Sequence, residues 1–285
     1  MIENLQGIFE TVNFKEDTHL RLYINDKVED YPAHWHAPME IIMPLESYYI
    51  VECANHRFEL NEGDILVIFP CNLHTIYAPP HGKRIIFQPD VAPLRQLTEV
   101  GAALSLMAPV RLITRSNAPD VYSDIRQLLL EIVDEYQYSS YLSEAVIYSK
   151  LLQIFVLMGR YHATNLGDFD VAPDKRQEYT EKFLAICDYI SANCTENLNL
   201  DEMAALTGFS KFHFSRLFKQ FSGQTFYQYL SHKRIEHAEL LLAKQEMTIT
   251  DVANESGFES QSSFIRMFKL IKGMTPTQFR RMYIN

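Results

Sequence analysis

Two sets of residues in this 285-residue chain have the types and spacing that chemistry requires. In Ala33-His34-Trp35-His36-Ala37-Pro38-Met39-Glu40, the residues His34, His36 and Glu40 share parity, so on an extended strand they point to one face. His74, shortly after the apolar run that ends at Phe69, adds a third imidazole. Three imidazoles and a carboxylate suit Zn, Fe or Mn. They equally suit the polar groups of a small ligand, and histidines at strand ends also serve only to satisfy backbone hydrogen bonds. We expect His34, His36, Glu40 and His74 to line a ligand pocket, with no bound metal, no cofactor and no catalytic residue. Trp35, the single Trp, has the opposite parity and is expected to pack on the outer face.

The second set lies in a unit that occurs twice. Residues 200–226 read LDEMAALTGFSKFHFSRLFKQFSGQTF, and residues 250–276 read TDVANESGFESQSSFIRMFKLIKGMTP. Gly208 and Gly257 are 49 apart, whereas Arg216 and Arg266, Phe218 and Phe268, Lys219 and Lys269, and Gly223 and Gly273 are each 50 apart, so one residue is inserted just after the turn. Each copy reads as a short helix, a Gly where the chain reverses without a Cβ clash, and a second helix. Phe214, Leu217, Phe218 and Phe221 recur at spacings of three and four, as do Phe264, Met267, Phe268 and Ile271, which makes one face core. The opposite face carries Lys211, Phe212, Ser215, Arg216 and Lys219 in the first copy. In the second it carries Gln261, Ser262, Ser263, Ile265, Arg266 and Lys269. Arg and Gln make bidentate bonds to guanine and adenine edges, Ser contacts either base, and Lys suits phosphate. That chemistry is the reading of duplex DNA.

These residues need elements to hold them. From His19 to Gln88, short β-branched and aromatic runs (His19 to Ile24, Met39 to Glu52, Asp64 to Phe69, Arg84 to Gln88) alternate with polar turns, which predicts an antiparallel sandwich or barrel. After Pro119 the period turns helical. One helix is expected through Val121, Ile125, Leu129, Ile132 and Tyr136, and a second over about Ser140 to Tyr161, its Leu151 to Met158 segment apolar around most of its circumference. Asn165 to Pro173 reads as a polar loop between domains, and everything beyond it as helix. The span Phe226 to Ala243 predicts a helix of about 18 residues, roughly 27 Å long. Its buried stripe is expected on Tyr227, Leu230, Ile235, Ala238, Leu241 and Leu242. A strut of that length would set two recognition helices about one duplex turn apart, roughly 34 Å.

Composition limits the alternatives. No run approaches the roughly 18 to 20 apolar residues of a membrane helix, and the N-terminus mixes acids and amides, unlike a signal peptide, so we expect a cytoplasmic protein without membrane association. Cys53, Cys71, Cys187 and Cys194 are scattered, which favours reduced, mostly buried thiols. The net charge of -10 is unevenly spread: residues 1–174 carry 12 Lys and Arg against 24 Asp and Glu, and the rest carries 14 against 12. The acidic part would be repelled by phosphate, whereas the balanced part is free to present a basic face.

The C-terminal 105 or so residues also resemble the AraC-type transcriptional regulators, most specifically in GFESQSSFIRMFKLIKGMTPTQFRR at residues 257–281. The resemblance implies a pair of helix-turn-helix units joined by a long helix, with base-contacting positions on Phe212, Ser215 and Arg216 and on Gln261, Ser262, Ser263 and Arg266. The front half is similar to a cupin barrel, whose metal motif has the H-x-H-x-x-x-E and downstream His seen here; the turn glycines of that motif are missing, since no Gly occurs between Gly7 and Gly63. AraC-type members with such a barrel resemble ligand sensors rather than metalloenzymes.

The expected fold is therefore α+β: an N-terminal cupin-like β-barrel with a helical dimerisation segment (residues 1–163), a linker (164–175) and an all-α domain with two helix-turn-helix units (176–285). The expected function is a sequence-specific DNA-binding transcriptional regulator, a non-enzymatic one-component sensor of a small polar effector, for which a sugar is one candidate. Double-stranded operator DNA is the expected partner, the chain is expected to be a homodimer, and RNA polymerase is a candidate partner. The alternatives are a cupin metalloenzyme fused to a DNA-binding tail and a regulator without a small-molecule ligand.

Overall fold

The computed structural model describes residues 4–54, 56–138, 140–164, 175–222, 224–242, 247–272 and 274–282. The loop expected at Asn165 to Pro173, and with it most of the expected linker, lies outside the described residues, as do Gly223 and Gly273. The chain divides into two compact units, Met1–Ala163 and Thr164–Asn285. Antiparallel sheets occupy the first and helices the second, which makes the chain α+β. Among the described residues no helix is long and apolar enough to cross a membrane.

The first unit contains β1 (Leu5–Gln6), β2 (Phe9–Glu10), β3 (Leu20–Asn25), β4 (Tyr31–His34), β5 (Glu40–Glu46), β6 (Tyr49–Cys53), β7 (His56–Leu60), β8 (Ile65–Ile68), β9 (His74–Tyr77), β10 (Lys83–Pro89) and β11 (Val110–Ile113). Its helices are α1 (Ala92–Arg95), α2 (Thr98–Met107), α3 (Pro119–Tyr138) and α4 (Ser143–Thr164). One sheet has the order β11-β8-β5-β10-β3 and a second β4-β9-β6-β7, with β1 and β2 forming a small hairpin. The run expected from Met39 to Glu52 is two strands, because Ser47 turns the chain at φ 66.

The five-stranded sheet is buried on both faces, which explains why its strands read as nearly continuous apolar runs. Ile41 and Met43 of β5, Ile65 and Val67 of β8, and Ile85 and Phe87 of β10 pack with Ile125, Leu129 and Ile132 of α3 and with Leu151, Ile154 and Phe155 of α4. The alternate residues Ile42, Leu66, Ile68 and Ile86 turn inward and meet Tyr49, Val51 and Ile76 of the second sheet. A period of two thus divides one set of strands between two cores. The apolar side of α3 and α4 is occupied within the chain by this sheet, and Gln153 stays exposed on α4.

The second unit is helical throughout: α5 (Arg176–Ala192), α6 (Leu200–Thr207), α7 (Lys211–Ser222), α8 (Phe226–Leu242), α9 (Ile249–Glu255), α10 (Gln261–Lys272) and α11 (Pro276–Met282). The sequence repeat is also a repeat of local geometry. Asn199 caps α6 by accepting from the Glu202 N–H, and Thr248 and Asp251 form a capping box on α9. Gly208 and Gly257 end these helices in the left-handed region at φ 74 and 80. Both turns close identically, Phe209 N–H donating to Ala204 O and Phe258 N–H to Ala253 O, each at 3.0 Å. The starts of α8 and α11 match as well, since Gln228 and Gln278 accept from the backbone N–H of Thr225 and Thr275, each at 2.9 Å.

Each helix pair closes on its own aromatic core. Phe214, Phe218 and Phe221 of α7 surround Phe183 of α5, while Phe264 and Phe268 of α10 meet Phe258 and Phe279. Helix α8 buries Leu230, Ile235, Ala238, Leu241 and Leu242, but Tyr227 is exposed and Tyr229 takes the buried place. Helical period does not separate the two tyrosines, since Tyr227 lies on the same side of the helix as Ala238 and Leu241; packing does, with Tyr229 against Phe218 at 5.5 Å and Tyr227 left 58% exposed, which corrects the expectation for Tyr227.

Candidate functional site

The polar faces of α7 and α10 follow from their cores. With Phe214, Leu217, Phe218 and Phe221 buried, α7 turns Lys211, Phe212, Arg216 and Lys219 outward, and Ser215 is half-buried at the boundary. With Phe264 and Phe268 buried, α10 exposes Gln261, Ser262, Arg266 and Lys269, with Ser263 half-buried. Lys211 is held by Asp201 of α6 at 2.7 Å, a hydrogen bond that also raises the lysine pKa. Phe212 is 88% exposed, an apolar ring on an otherwise polar face, and Leu270 of α10 is similarly uncovered.

In the first unit, His34, His36, Glu40 and His74 come together with one ligand atom from each within 4.8 Å of the others, all four side chains buried. Strand parity is not the reason, which corrects the sequence reading. His34 ends β4 in one sheet and Glu40 begins β5 in the other; the chain crosses between the sheets over residues 35–39, and His36 lies on that crossing. His74 joins because β9 pairs with β4, His34 opposite His74. Trp35 is correspondingly not on an outer face. It is 1% exposed, its ring lies 4.7 Å from that of Phe9, and its backbone bonds to Ile8 and Glu10. This bridge brings Glu10 into the site, its Oε2 3.8 Å from His34 Nε2.

Each imidazole is oriented by a backbone carbonyl. His34 Nδ1 donates to Pro32 O at 2.8 Å, His36 Nδ1 to Pro38 O at 3.0 Å and His74 Nδ1 to Asn72 O at 2.9 Å. A carbonyl can only accept, so each Nδ1 carries a proton and every Nε2 faces the cluster; on His36 the Nε2 carries a proton as well, which it donates to the Glu40 carboxylate. His36 Nε2 lies 2.9 Å from Glu40 Oε2, which also accepts from Gln88 Nε2 at 2.7 Å. Gln88 and Glu10 escaped the sequence reading. Gln88 did leave a signal, because it is polar at the inward parity of Arg84, Ile86 and Gln88 on an apolar strand.

Burial dominates the electrostatics and is partly reversed by contact. It lowers the pKa of His34, and that of His74 to about 3, so both rings are neutral. Burial also disfavours charge on His36, but the hydrogen bond and charge of Glu40 outweigh it and raise the pKa. Burial by itself would push Glu40 up, yet the His36 hydrogen bond and the surrounding imidazoles hold it far below the carboxylate range. Glu40 Oε1 and His74 Nε2 have no hydrogen-bond partner. The donor set, three oriented imidazole nitrogens and a carboxylate, fits a divalent transition metal, and the two orphaned atoms are what such an ion would satisfy.

Comparison with known proteins bears mainly on the second unit. A family model described as a helix-turn-helix domain matches residues 203–282. An uncharacterised HTH-type transcriptional regulator of Staphylococcus aureus (strain COL) is 41% identical over 100 residues, 35% of this chain and 13% of that protein; the chain thus matches only a small part of that relative's length. The transposon Tn10 TetD protein of Escherichia coli is 36% identical over 108 residues, 38% of this chain and 78% of that protein. A solved structure of apo ToxT from Vibrio cholerae aligns with 94% of this chain and 98% of its own at 15% identity and a TM-score of 0.48. Identity with a relative matched over most of its length, together with the helix-turn-helix model, shows that the chain belongs to the AraC-type family of helix-turn-helix transcriptional regulators.

Proposed function

We propose that this protein is a transcriptional regulator that reads duplex DNA with α7 and α10, each the second helix of a helix-turn-helix unit. The observation that carries the reading is the repetition itself: two helix pairs with matching caps, left-handed Gly turns and aromatic cores each turn outward a face bearing Arg, Lys and Ser. Such repetition of the outward face is not required for folding. Arg216 and Arg266 suit guanine, Gln261 adenine, and Ser215, Ser262 and Ser263 either base. Phe212 suits a thymine methyl, while Lys211, Lys219 and Lys269 suit phosphates that set the register. Helix α8, 17 residues and about 26 Å long, is the strut between the two units. Homodimerisation on a two-part operator and contact with RNA polymerase belong to the same reading. The test is selection of bound duplexes from a genomic library by the full chain, followed by affinity measured against shuffled sequence over a range of salt. Binding without preference for any selected sequence would sink the reading.

The buried end formed by β4, β5 and β9 is the sensor in this proposal. Effector binding would bias two arrangements of the protein that differ in operator affinity. Polar hydroxyls, a sugar's among them, suit His34, His36, Glu40 and His74. A second reading is favoured by the convergent Nε2 atoms and the orphaned Glu40 Oε1: these four residues hold a divalent transition metal, which would supply a Lewis-acidic contact for the effector. Either way Gln88 orients Glu40 by its hydrogen bond, and Glu10 together with Arg21 supplies neighbouring charge.

A further inference from the structure

The helix pairs α6–α7 and α9–α10 meet at one side chain of the helix between them. Arg234 of α8 donates from Nε to Cys194 O and from Nη2 to Glu196 O, each at 2.8 Å. Those carbonyls belong to the segment 193–198, which leads from α5 into the Asn199 cap of α6. The same guanidinium lies 5.9 Å from the ring centroid of Phe258, whose N–H closes the turn between α9 and α10. A planar fork serves two carbonyls and an aromatic ring at once, which the point charge of a Lys does not.

The junction is also close-packed. A Cβ on Gly257 would stand 2.7 Å from Thr195 O, so the α9–α10 turn lies directly on the segment whose carbonyls Arg234 holds. The far end of α10 is tied to α8 as well, because Lys272 pairs with Glu239 and both side chains are largely removed from solvent. Helix α10 is therefore fixed at its start through Gly257 and Phe258 and at its end through Lys272. Folding of either pair does not call for Arg234, since each pair closes on its own aromatic core. What Arg234 adds is the relation between the pairs.

We propose that Arg234 is a positioning residue that sets operator spacing: it locks α9–α10 against the segment entering α6, so that α7 and α10 reach their two DNA segments at one separation only. This rests on the DNA-reading function proposed above and names what fixes its geometry.

The test uses the full chain and a duplex selected for tight binding, with none, one or two base pairs inserted between the two segments that footprinting assigns to α7 and α10. One inserted pair displaces the second segment by about 3.4 Å and turns it by roughly 35°. Wild type should lose about 100-fold in affinity on a single insertion, the equivalent of one to a few mismatched pairs. Arg234→Met, which keeps the length and loses the fork, should bind the selected duplex about tenfold more weakly and lose less than about threefold on insertion. Arg234→Lys should fall between the two. Unfolded protein lowers the apparent affinity for both duplexes equally, so a loss of stability alone does not move this ratio. Should Arg234→Met fail to fold, the ratio is read on Arg234→Lys, where a wild-type value overturns the proposal. Wild-type discrimination retained in Arg234→Met, or a wild type that tolerates the insertion, overturns it too and leaves the DNA reading standing. A wild type with no preference for any selected duplex refutes the DNA reading itself.

Discussion

A Cβ placed on Gly257 would stand 2.7 Å from the carbonyl oxygen of Thr195 and 2.8 Å from its Cα, so the turn between α9 and α10 is pressed directly against the segment that follows α5. Gly208, at the matching point of the first repeat, has nothing within 4 Å of its Cβ position. Both residues are left-handed, which costs a side chain about 1–2 kcal/mol. Gly257→Ala should add an overpacking cost of about 1–3 kcal/mol that Gly208→Ala escapes. Urea denaturation of the two variants compares them; equal losses would mean that the Thr195 segment yields without cost.

Phe212 has no core to support, being 88% exposed. Phe212→Ala should therefore leave stability within about 0.5 kcal/mol of wild type while weakening operator binding. Arg216→Ala and Arg266→Ala should each remove about 1–3 kcal/mol of discrimination at one base position. Fluorescence anisotropy with single-substituted operators separates these effects. An equal loss on random duplex would assign the arginines to phosphate instead.

If the four converging donors hold a metal, protein stripped with a chelator should take up about one equivalent of Zn or Mn per chain, measured by elemental analysis. Trp35, the single Trp, is buried between His34 and His36 in sequence, so its emission should change on loading. His74→Ala and Glu40→Gln should lose uptake. Unchanged emission and no retained metal across Zn, Mn, Fe and Ni would leave the cluster as a purely organic pocket.

The α9 capping box carries a pH signature. The Thr248 hydroxyl and backbone N–H both hydrogen-bond the Asp251 carboxylate and hold its pKa below the usual value. A carboxyl with a depressed folded pKa stabilises fully above its unfolded pKa of about 3.9 and loses that contribution as pH falls through the lower folded value. Thr248→Ala should cost about 1 kcal/mol at neutral pH, and its deficit relative to wild type should shrink on acidification below about pH 4. A deficit constant from pH 7 to pH 3 would show that the hydroxyl acts by packing alone.

The helical part of the chain was legible residue by residue. Spacings of three and four marked Phe214, Leu217, Phe218 and Phe221 as one face, and Gly208 and Gly257 marked the reversals, because helix period, caps and left-handed turns are set within a few residues of sequence. On α8 the pattern puts Tyr227 inside and omits Tyr229, since Tyr227 falls on the same side of the helix as Ala238 and Leu241 and only tertiary packing leaves it exposed.

The buried cluster shows the opposite case. Sequence alone identified His34, His36, Glu40 and His74 as chemically suggestive, but its reason, parity on one strand, fails because β4 and β5 lie in different sheets. It gave no notice that Trp35 would draw Glu10 to the site, that Gln88 would hold Glu40, or that Arg84 would be buried against Tyr31 and Tyr49. Those outcomes depend on which strands pair and in what register, contacts between residues tens of positions apart that no local pattern encodes. What the chain itself determined was where its helices and turns fall and which faces they bury; what tertiary pairing decided was which polar groups meet in the dark, and therefore what they can bind.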